Sequence, residues 1–262
     1  MAKRLIKTEN ELALIREGGH KLGAILRTLA EQVKPGVATA ELENLANELI
    51  AKAGGRSSFK NFRPSKDSKP FPTALCVSID NEIVHGPALP NRILQEGQIV
   101  SLDIGMQYPA EKGYYTDTAM TVAVGRISAD KEKLLRATKE ALMAGIEQVA
   151  PGKTLDDIGT AIEKVAKASG LGIIRDLVGH GVGLEVHEEP QVPNYHIEKG
   201  EFPNLTLEQG MVIAIEPMCT LGGWQIETAD DGFTFVTADK SMSAHFEHTI
   251  EVTENGYGII TA

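Results

Sequence analysis

The stretch Glu96-Gly-Gln-Ile-Val-Ser-Leu-Asp103 has a counterpart in the second half of the chain, Gln209-Gly-Met-Val-Ile-Ala-Ile-Glu216. In both stretches a glycine is followed, six residues later, by a carboxylate at the end of an apolar run. Short apolar runs bounded by turn residues are typical of buried strands. The two stretches therefore predict a pair of equivalent buried strands, each with an acid at its end.

The correspondence between the two halves extends on both sides of these strands. Upstream, Val33-Lys-Pro-Gly36 matches Val149-Ala-Pro-Gly152, and downstream Thr116-Asp117 matches Phe246-Glu247. The matches occur in the same order along the chain, so chance among common turn dipeptides is the weaker explanation. We therefore predict an internal duplication of one structural unit.

The duplicated unit is expected to be α+β, with copies over about residues 10–125 and 126–255 of a single domain, residues 1–262. Capping residues and apolar periodicity predict four helices, beginning at Thr8, Thr39, Ser128 and Thr154. Strands are predicted at residues 75–79, 99–104, 116–124, 211–215, 225–228, 233–236 and 246–252. We expect two halves related by a pseudo-twofold axis, with helices covering a curved antiparallel sheet.

Composition excludes several classes of protein. The chain has 36 acidic and 26 basic residues and a formal net charge of −10, which argues against bulk electrostatic binding of DNA. Two cysteines in 262 residues form no disulfide framework. The first residues contain no apolar signal region, and no apolar run reaches the roughly 18 residues of a membrane span. These features predict a soluble cytoplasmic protein.

The two strand-end acids, Asp103 and Glu216, have repeat-equivalent companions in Asp117 and Glu247. One such acid alone would most simply reach solvent. Across a pseudo-twofold axis, however, four carboxylates would converge, and carboxylates that close cannot all ionise without cations between them. The pattern predicts a site for two divalent metal ions.

Three histidines lie in motifs that favour function. His180 stands in Gly-His-Gly-Val-Gly, His187 follows seven residues later in His-Glu-Glu-Pro, and His85 follows a strand-like run. Glycine on both sides of a residue lets the backbone approach a ligand closely. The other histidines lack such context and are interpreted as structural, although one of them adjoins Glu247 and could orient it: His20, His196, His245 and His248.

Together these motifs closely resemble the methionine aminopeptidases, metallopeptidases with the pita-bread fold. The resemblance covers about residues 8–260 and fits the short type I enzymes, because only 29 residues separate His187 from Glu216. Its motifs imply five metal ligands: Asp103, Asp117, His180, Glu216 and Glu247. The domain would then be catalytic, and would remove the initiator methionine of nascent proteins and peptides when the second residue is small.

The resemblance also implies roles for single residues. Asp117 and Glu247 would bridge two ions, Asp103 would bind one of them, and His180 and Glu216 the other. Glu216 would also move a proton, while His85 and His187 would hydrogen-bond the scissile peptide group. A donor set with one nitrogen and four carboxylates suits Mn, Fe(II) or Co better than a structural Zn, and the sequence does not choose among Co, Mn, Fe(II) and Zn.

The apolar pocket for the methionine side chain is placed by the same resemblance. It would be lined by Phe71, Cys76, His85 and Phe233, with Phe62 and Trp224 as weaker candidates. Plain core positions are the alternative for Phe71 and Phe233. The chain begins Met1-Ala2, so Met1 should itself be removed.

Two segments depart from the pattern of the compact enzymes. Asp103 and Asp117 are 14 residues apart, with residues 107–113 holding an extra turn, and the polar, basic segment 60–69 resembles an insertion. Both could alter the rim of the pocket. The basic segment is most simply a solvated loop, with transient contact with ribosomal RNA as the alternative.

Two other functions remain open from the sequence. An Xaa-Pro peptidase could use the same scaffold, although such enzymes usually carry a large N-terminal domain for which this chain has no room. A peptide-binding module that has lost catalysis is weaker, because all five ligand positions hold coordinating residues. We expect a monomer.

Overall fold

A computed structural model describes residues 4–262, so the prediction for Met1 and Ala2 lies outside the described residues. The helices are α1 (Glu9–Glu31), α2 (Thr39–Lys52), α3 (Ala129–Ile146) and α4 (Leu155–Ala168). The strands are β1 (Arg56–Ser57), β2 (Leu75–Ile79), β3 (Glu82–Val84), β4 (Ile99–Tyr108), β5 (Tyr114–Ala123), β6 (Gly172–Ile173), β7 (Gly179–Gly181), β8 (Glu188–Val192), β9 (Val212–Ile215), β10 (Met218–Thr220), β11 (Ile226–Thr228), β12 (Phe235–Thr237), β13 (Ser243–His245), β14 (Glu247–Thr253) and β15 (Gly256–Ile259).

Nine strands form one antiparallel sheet that runs through both halves of the chain. Its main path is β1-β4-β5-β14-β9-β7-β8, with β2 added beside β4 and β15 beside β14. The halves join where β5 pairs with β14, with Glu247 opposite Ala119 and His248 opposite Thr118. The α+β fold class with a curved antiparallel sheet is confirmed, and the strand junction places acids of both halves side by side.

The main apolar cluster of each half joins that half's two helices to its own strands. The first apolar cluster contains Leu22 and Leu42 of α1 and α2 with Leu102 of β4, all almost fully buried. The second joins Leu142 of α3 and Ile158 of α4 to strands β9 and β14. The helices therefore cover the sheet as two matching pairs, which agrees with the predicted duplication; its boundaries stay a prediction.

Three of the four predicted helix caps are as expected, and one is wrong. The Thr8 hydroxyl accepts a hydrogen bond from Glu11 N, and Thr154 and Ser128 cap their helices in the same way. At α2 the cap is Ala38 rather than Thr39. The Thr39 hydroxyl instead donates to the Ala88 carbonyl at 2.6 Å, because this side chain is buried against the loop after β3.

The hairpin of β4 and β5 is longer than predicted. β4 continues to Tyr108, where its side chain packs on α1: the Tyr108 hydroxyl bonds Glu17, and a Cβ on Gly18 would lie 2.9 Å from Tyr108 Cβ. The extra turn between Asp103 and Asp117 is thus an extension of this hairpin onto the helix, away from the acids.

Other strand predictions differ at their edges. The strand expected at 233–236 begins at Phe235, because the Asp231 carboxylate accepts hydrogen bonds from Phe233 N and Thr234 N and holds a turn there. Several strands of two or three residues, such as β3, β7 and β13, are too short to show a sequence period. Among residues 4–262, no helix is long and apolar enough to cross a membrane.

Candidate metal centre and its cavity

The first half of the chain delivers two acids from neighbouring strands. In the β4–β5 ladder Asp103 lies opposite Ala119, and Asp117 lies opposite Gly105. Because side chains two residues apart share a face of a strand, both carboxylates point to the same side of the sheet. Asp103 is 7% exposed and Asp117 3%, so both acids are buried there.

The second half adds two acids and a histidine to this face. Glu247 is the first residue of β14 and lies opposite Ala119, which is itself opposite Asp103. Glu216 follows the last residue of β9. His180 lies in β7, and the residue after it, Gly181, pairs with Ile213 of β9. Five predicted ligand residues from five strands or strand ends thus border one cavity.

The donor atoms come close together. His180 Nε2 lies 3.5 Å from Asp117 Oδ2 and 3.4 Å from Glu216 Oε1. Ligand atoms of Asp117, His180 and Glu247 all lie within 4.8 Å of one another. Asp103 Oδ1 is buried and has no hydrogen-bond partner among the described residues. A buried carboxylate oxygen without a donor is costly, and a cation beside it would offset that cost.

The electrostatics of the acids point the same way. Burial and the neighbouring Asp117 carboxylate raise the pKa of Asp103 to about 8, and burial raises the pKa of Asp117 to about 6. Burial and the other carboxylates also raise the pKa of Glu216 and Glu247. The acids resist ionising together, so the cluster is electrostatically prepared for divalent cations.

The histidines are held neutral in this cavity. Burial lowers the pKa of His85, His180 and His187 to about 4 in each case. His180 Nδ1 lies 2.9 Å from the Gly181 carbonyl, which favours the proton on Nδ1 and leaves the Nε2 lone pair facing the acids. His187 packs edge-on against His180, with ring centroids 4.4 Å apart.

Residues 13–254, which carry all five of these donors, match the sequence family described as metallopeptidase family M24. The chain belongs to metallopeptidase family M24. This membership and the site's donor set confirm that the protein is a metal-dependent hydrolase of the exopeptidase kind. The resemblance drawn from the motifs is confirmed as well.

Within family M24 the chain is similar along its whole length to methionine aminopeptidases. It is 42% identical to the methionine aminopeptidase of Clostridium perfringens, with 98% of each chain covered. The crystal structure of the methionine aminopeptidase from Thermotoga maritima superposes with a TM-score of 0.90 at 38% identity, covering 98% of each chain.

Other M24 relatives share the fold at lower similarity. A prolidase from Pyrococcus furiosus superposes with a TM-score of 0.72 at 23% identity, over 99% of this chain and 66% of the prolidase. At that identity the likeness concerns the fold alone. The Xaa-Pro alternative is therefore not favoured, and neither is the inactive binding module.

The M24 site opens into a cavity of about 1010 Å³ whose wall is partly aromatic. Phe71 and Phe233 meet edge to face with centroids 5.5 Å apart, and both line the cavity together with Cys76 and His85. Cys76 lies opposite Asp103 in the β2–β4 ladder, which places the pocket beside the acids. All residues predicted for the main pocket therefore come together.

Of the two weaker pocket candidates, one lies at the cavity and the other does not. Phe62 lines the cavity and its ring meets His187 at 5.4 Å, whereas Trp224 lies on the surface and is 41% exposed. The basic segment 60–69 contributes Arg63 and Lys69 to the same wall, so it does form part of the rim.

One cavity residue was interpreted from the sequence as structural. His245 is 2% exposed and lines the cavity, with Nε2 3.8 Å from Glu216 Oε2. Its position two residues before Glu247 is a signal that strand periodicity could have supplied. The orienting role considered for His248 is wrong. His248 follows Glu247 directly and therefore points to the other face of the strand, where its Nδ1 lies 2.9 Å from Thr261 Oγ1.

Proposed function

We propose that this protein removes the N-terminal methionine from nascent proteins and peptides whose second residue is small. The observation that carries the proposal is the convergence of Asp117, His180 and Glu247, with ligand atoms within 4.8 Å, at an aromatic-walled cavity. The full-length similarity to methionine aminopeptidases supports the same substrate.

Two divalent ions would suit this donor set, and Asp117 and Glu247 would help to hold both. Asp103 would hold one ion, and His180 and Glu216 the other. The buried, unpartnered Asp103 Oδ1 and the raised pKa values of the acids support this assignment. When bound, such ions supply Lewis-acid polarisation of a carbonyl and activation of water.

The chain's own groups would bind the peptide and move the proton. Glu216 borders the cavity, with its Oε1 3.4 Å from His180 Nε2, so its carboxylate would take up a proton beside the reacting group and later release it to the leaving amine. His85 and His187 are neutral, and a neutral imidazole has one donor and one acceptor nitrogen for the scissile peptide group.

The methionine side chain would lie between Phe71 and Phe233, beside Cys76 and His85. A linear thioether gains contact with the faces and edges of aromatic rings, so this pocket suits methionine. Preference for a small second residue would follow from steric crowding at the next subsite.

Peptide turnover tests the proposal and the metal together. Met-Ala-Ser should be hydrolysed, chelator should abolish turnover, and adding back Mn, Fe(II), Co or Zn one at a time should identify the ions that restore it. Titration of the metal-free protein should give two ions per chain. Equal or faster hydrolysis of an Ala-Pro peptide would contradict the proposed specificity.

We also propose that the enzyme works as a cytoplasmic monomer in protein maturation. Transient contact with the ribosome would use the exposed cations of the basic segment: Lys60, Arg63, Lys66 and Lys69. Reversing these four charges should then weaken co-sedimentation with ribosomes, and unchanged co-sedimentation would remove the idea.

A further inference from the structure

Lys7 is buried next to Glu188, a residue that lines the cavity, and burial is unusual for a lysine. Its side chain is 1% exposed, and its Nζ lies 3.0 Å from Oε1 of Glu188, whose side chain is 4% exposed. A buried ion pair gives little net stability compared with apolar residues, although removing one partner leaves a costly unpaired charge. A role other than stabilisation would account for the pair.

The pair connects two parts of the second half of the site. Lys7 N donates to the Gly210 carbonyl at 2.9 Å, just before the strand that leads to Glu216. The partner carboxylate of Glu188 also accepts a hydrogen bond from Leu184 N at 2.9 Å. Lys7 thereby ties the start of β9 to the turn at residues 183–188.

The turn is also packed onto the lysine stem. Gly183 has φ +128°, and a Cβ there would lie 3.0 Å from both Lys7 Cε and Ile15 Cδ1. The Gly183 carbonyl accepts a hydrogen bond from Tyr115 N at 2.8 Å. The turn is therefore held both by its packing on Lys7 and by a backbone hydrogen bond from β5.

His187 is one of the turn residues that line the cavity. Its ring meets His180 at 4.4 Å and Phe62 at 5.4 Å, both edge-on, and within residues 4–262 the ring makes no hydrogen bond. Weak ring contacts alone leave an imidazole free to shift. Its position therefore depends on the backbone beside it, which Glu188 holds.

We propose that Lys7 is a positioning residue for His187. By neutralising Glu188 inside the protein, Lys7 lets that carboxylate hold the turn in place, and the turn sets the imidazole against the cavity. This inference rests on the proposed function, in which His187 hydrogen-bonds the scissile peptide group.

Three variants test it by kinetics on Met-Ala-Ser. Lys7→Met keeps the apolar stem of the side chain but leaves the buried Glu188 carboxylate without its positive partner. This variant should lower kcat roughly tenfold to a hundredfold, the range for lost supporting contacts, and should change KM less than about twofold. Lys7→Met combined with Glu188→Gln restores charge balance and the acceptor for Leu184 N, and should return kcat to within about threefold of wild type. Lys21→Met, which removes an exposed Lys–Glu pair on α1, should change neither constant.

A second measurement does not depend on turnover. In the metal-free protein, NMR of the histidine rings should show the His187 signals moved in Lys7→Met, since the ring current of Phe62 acts on them, and restored in the double variant. Signals of His85, which lies across the cavity, should stay in place.

The inference is overturned if Lys7→Met loses only thermal stability while kcat and the His187 signals stay at wild-type values. It is also overturned if the double variant folds but keeps the low kcat. If Lys7→Met does not fold, the double variant is the test: a kcat within about threefold of wild type supports the inference, and a low kcat in the folded protein overturns it. A wild-type protein that hydrolyses no methionyl peptide would refute the proposed function instead, and the NMR comparison would still test the positioning of His187.

Discussion

The two halves of the molecule build their acids on matching strands but end those strands differently. In the first half the β4–β5 ladder continues past Asp103 and Asp117 to Tyr108 opposite Tyr114. In the second half the β9–β14 ladder ends with Ile215 opposite His248, so Glu216 and Glu247 stand at its end.

This difference separates fixed acids from a freer one. Asp117 is held in the ladder, and the Thr249 hydroxyl lies 3.1 Å from its Oδ1. Glu216 lies beyond its strand, and its carboxylate oxygens lie 3.4 Å from His180 Nε2 and 3.8 Å from His245 Nε2. The first half thus supplies carboxylates held within a ladder, and the second supplies His180 and, in Glu216, the acid proposed to move a proton.

The largest effect should come from removing, in each half, the acid that is proposed to hold both ions. Asp117→Asn and Glu247→Gln should each lower kcat by roughly a hundredfold to a thousandfold, the scale for losing charge stabilisation in a transition state. Calorimetric titration should also show fewer ions bound per chain. A much milder loss in one variant would mean that the halves do not share the ions equally.

A buried acid on the same strand provides the control for that experiment. Glu251 of β14 is 5% exposed and pairs with Arg16 at 2.7 Å, remote from the cavity. Glu251→Gln should lower thermal stability while leaving metal stoichiometry and kcat unchanged.

The two candidate substrate-binding histidines come one from each half. His85→Gln and His187→Gln should each lower kcat about a hundredfold, because each removes a hydrogen bond to the reacting peptide group. Steady-state kinetics at saturating metal checks this. His196→Gln, at an exposed histidine paired with Asp156, should change nothing, and a comparable loss there would deny the two cavity histidines any special role.

The proposed methionine pocket also draws one aromatic ring from each half. Phe71→Ala and Phe233→Ala should each raise KM for Met-Ala-Ser about tenfold, because lost apolar contact weakens binding by about 1–3 kcal/mol. Trp224→Ala should leave KM unchanged, since that ring is on the surface. If both phenylalanine variants lower only the melting temperature, those rings are core rather than pocket.

The smallest effect is expected in the pH dependence of the unfolding free energy of the metal-free protein. The folded pKa of Asp103, raised to about 8, exceeds the unfolded value of about 3.9, so the folded state holds more protons in this window. The stabilisation that Asp103 contributes is fully present below the unfolded pKa and is lost as the pH rises through about 8. Histidines with a folded pKa of about 4 act in the opposite direction, but only below about pH 6.5.

Between about pH 6.5 and 8 the acids therefore act alone. The unfolding free energy of the metal-free protein should fall by up to about 1.4 kcal/mol per pH unit for each proton released. Urea denaturation in chelator measures the slope, and Asp103→Asn should reduce it. A slope that is flat or positive in the wild type would contradict the raised pKa of the acids.

Much of the site was visible in the sequence because it sits on strong local patterns. Asp103 and Glu216 end apolar runs, and His180 stands between glycines, so each has a signal within a few neighbouring residues. His245 has only the weaker signal of its place two residues before Glu247, and Lys7 has none. The first depends on a strand of three residues, and the second on an ion pair with a residue 181 positions away.

By itself the sequence determined the family and the fold class, and it singled out the five candidate ligand residues, since these follow from short motifs and from a duplication of apolar pattern. Only the tertiary structure decided where the ladders stop, which face each side chain takes and which distant groups meet. Ladder ends and buried pairs such as Lys7–Glu188 depend on contacts between remote segments, and local sequence patterns carry no record of those contacts.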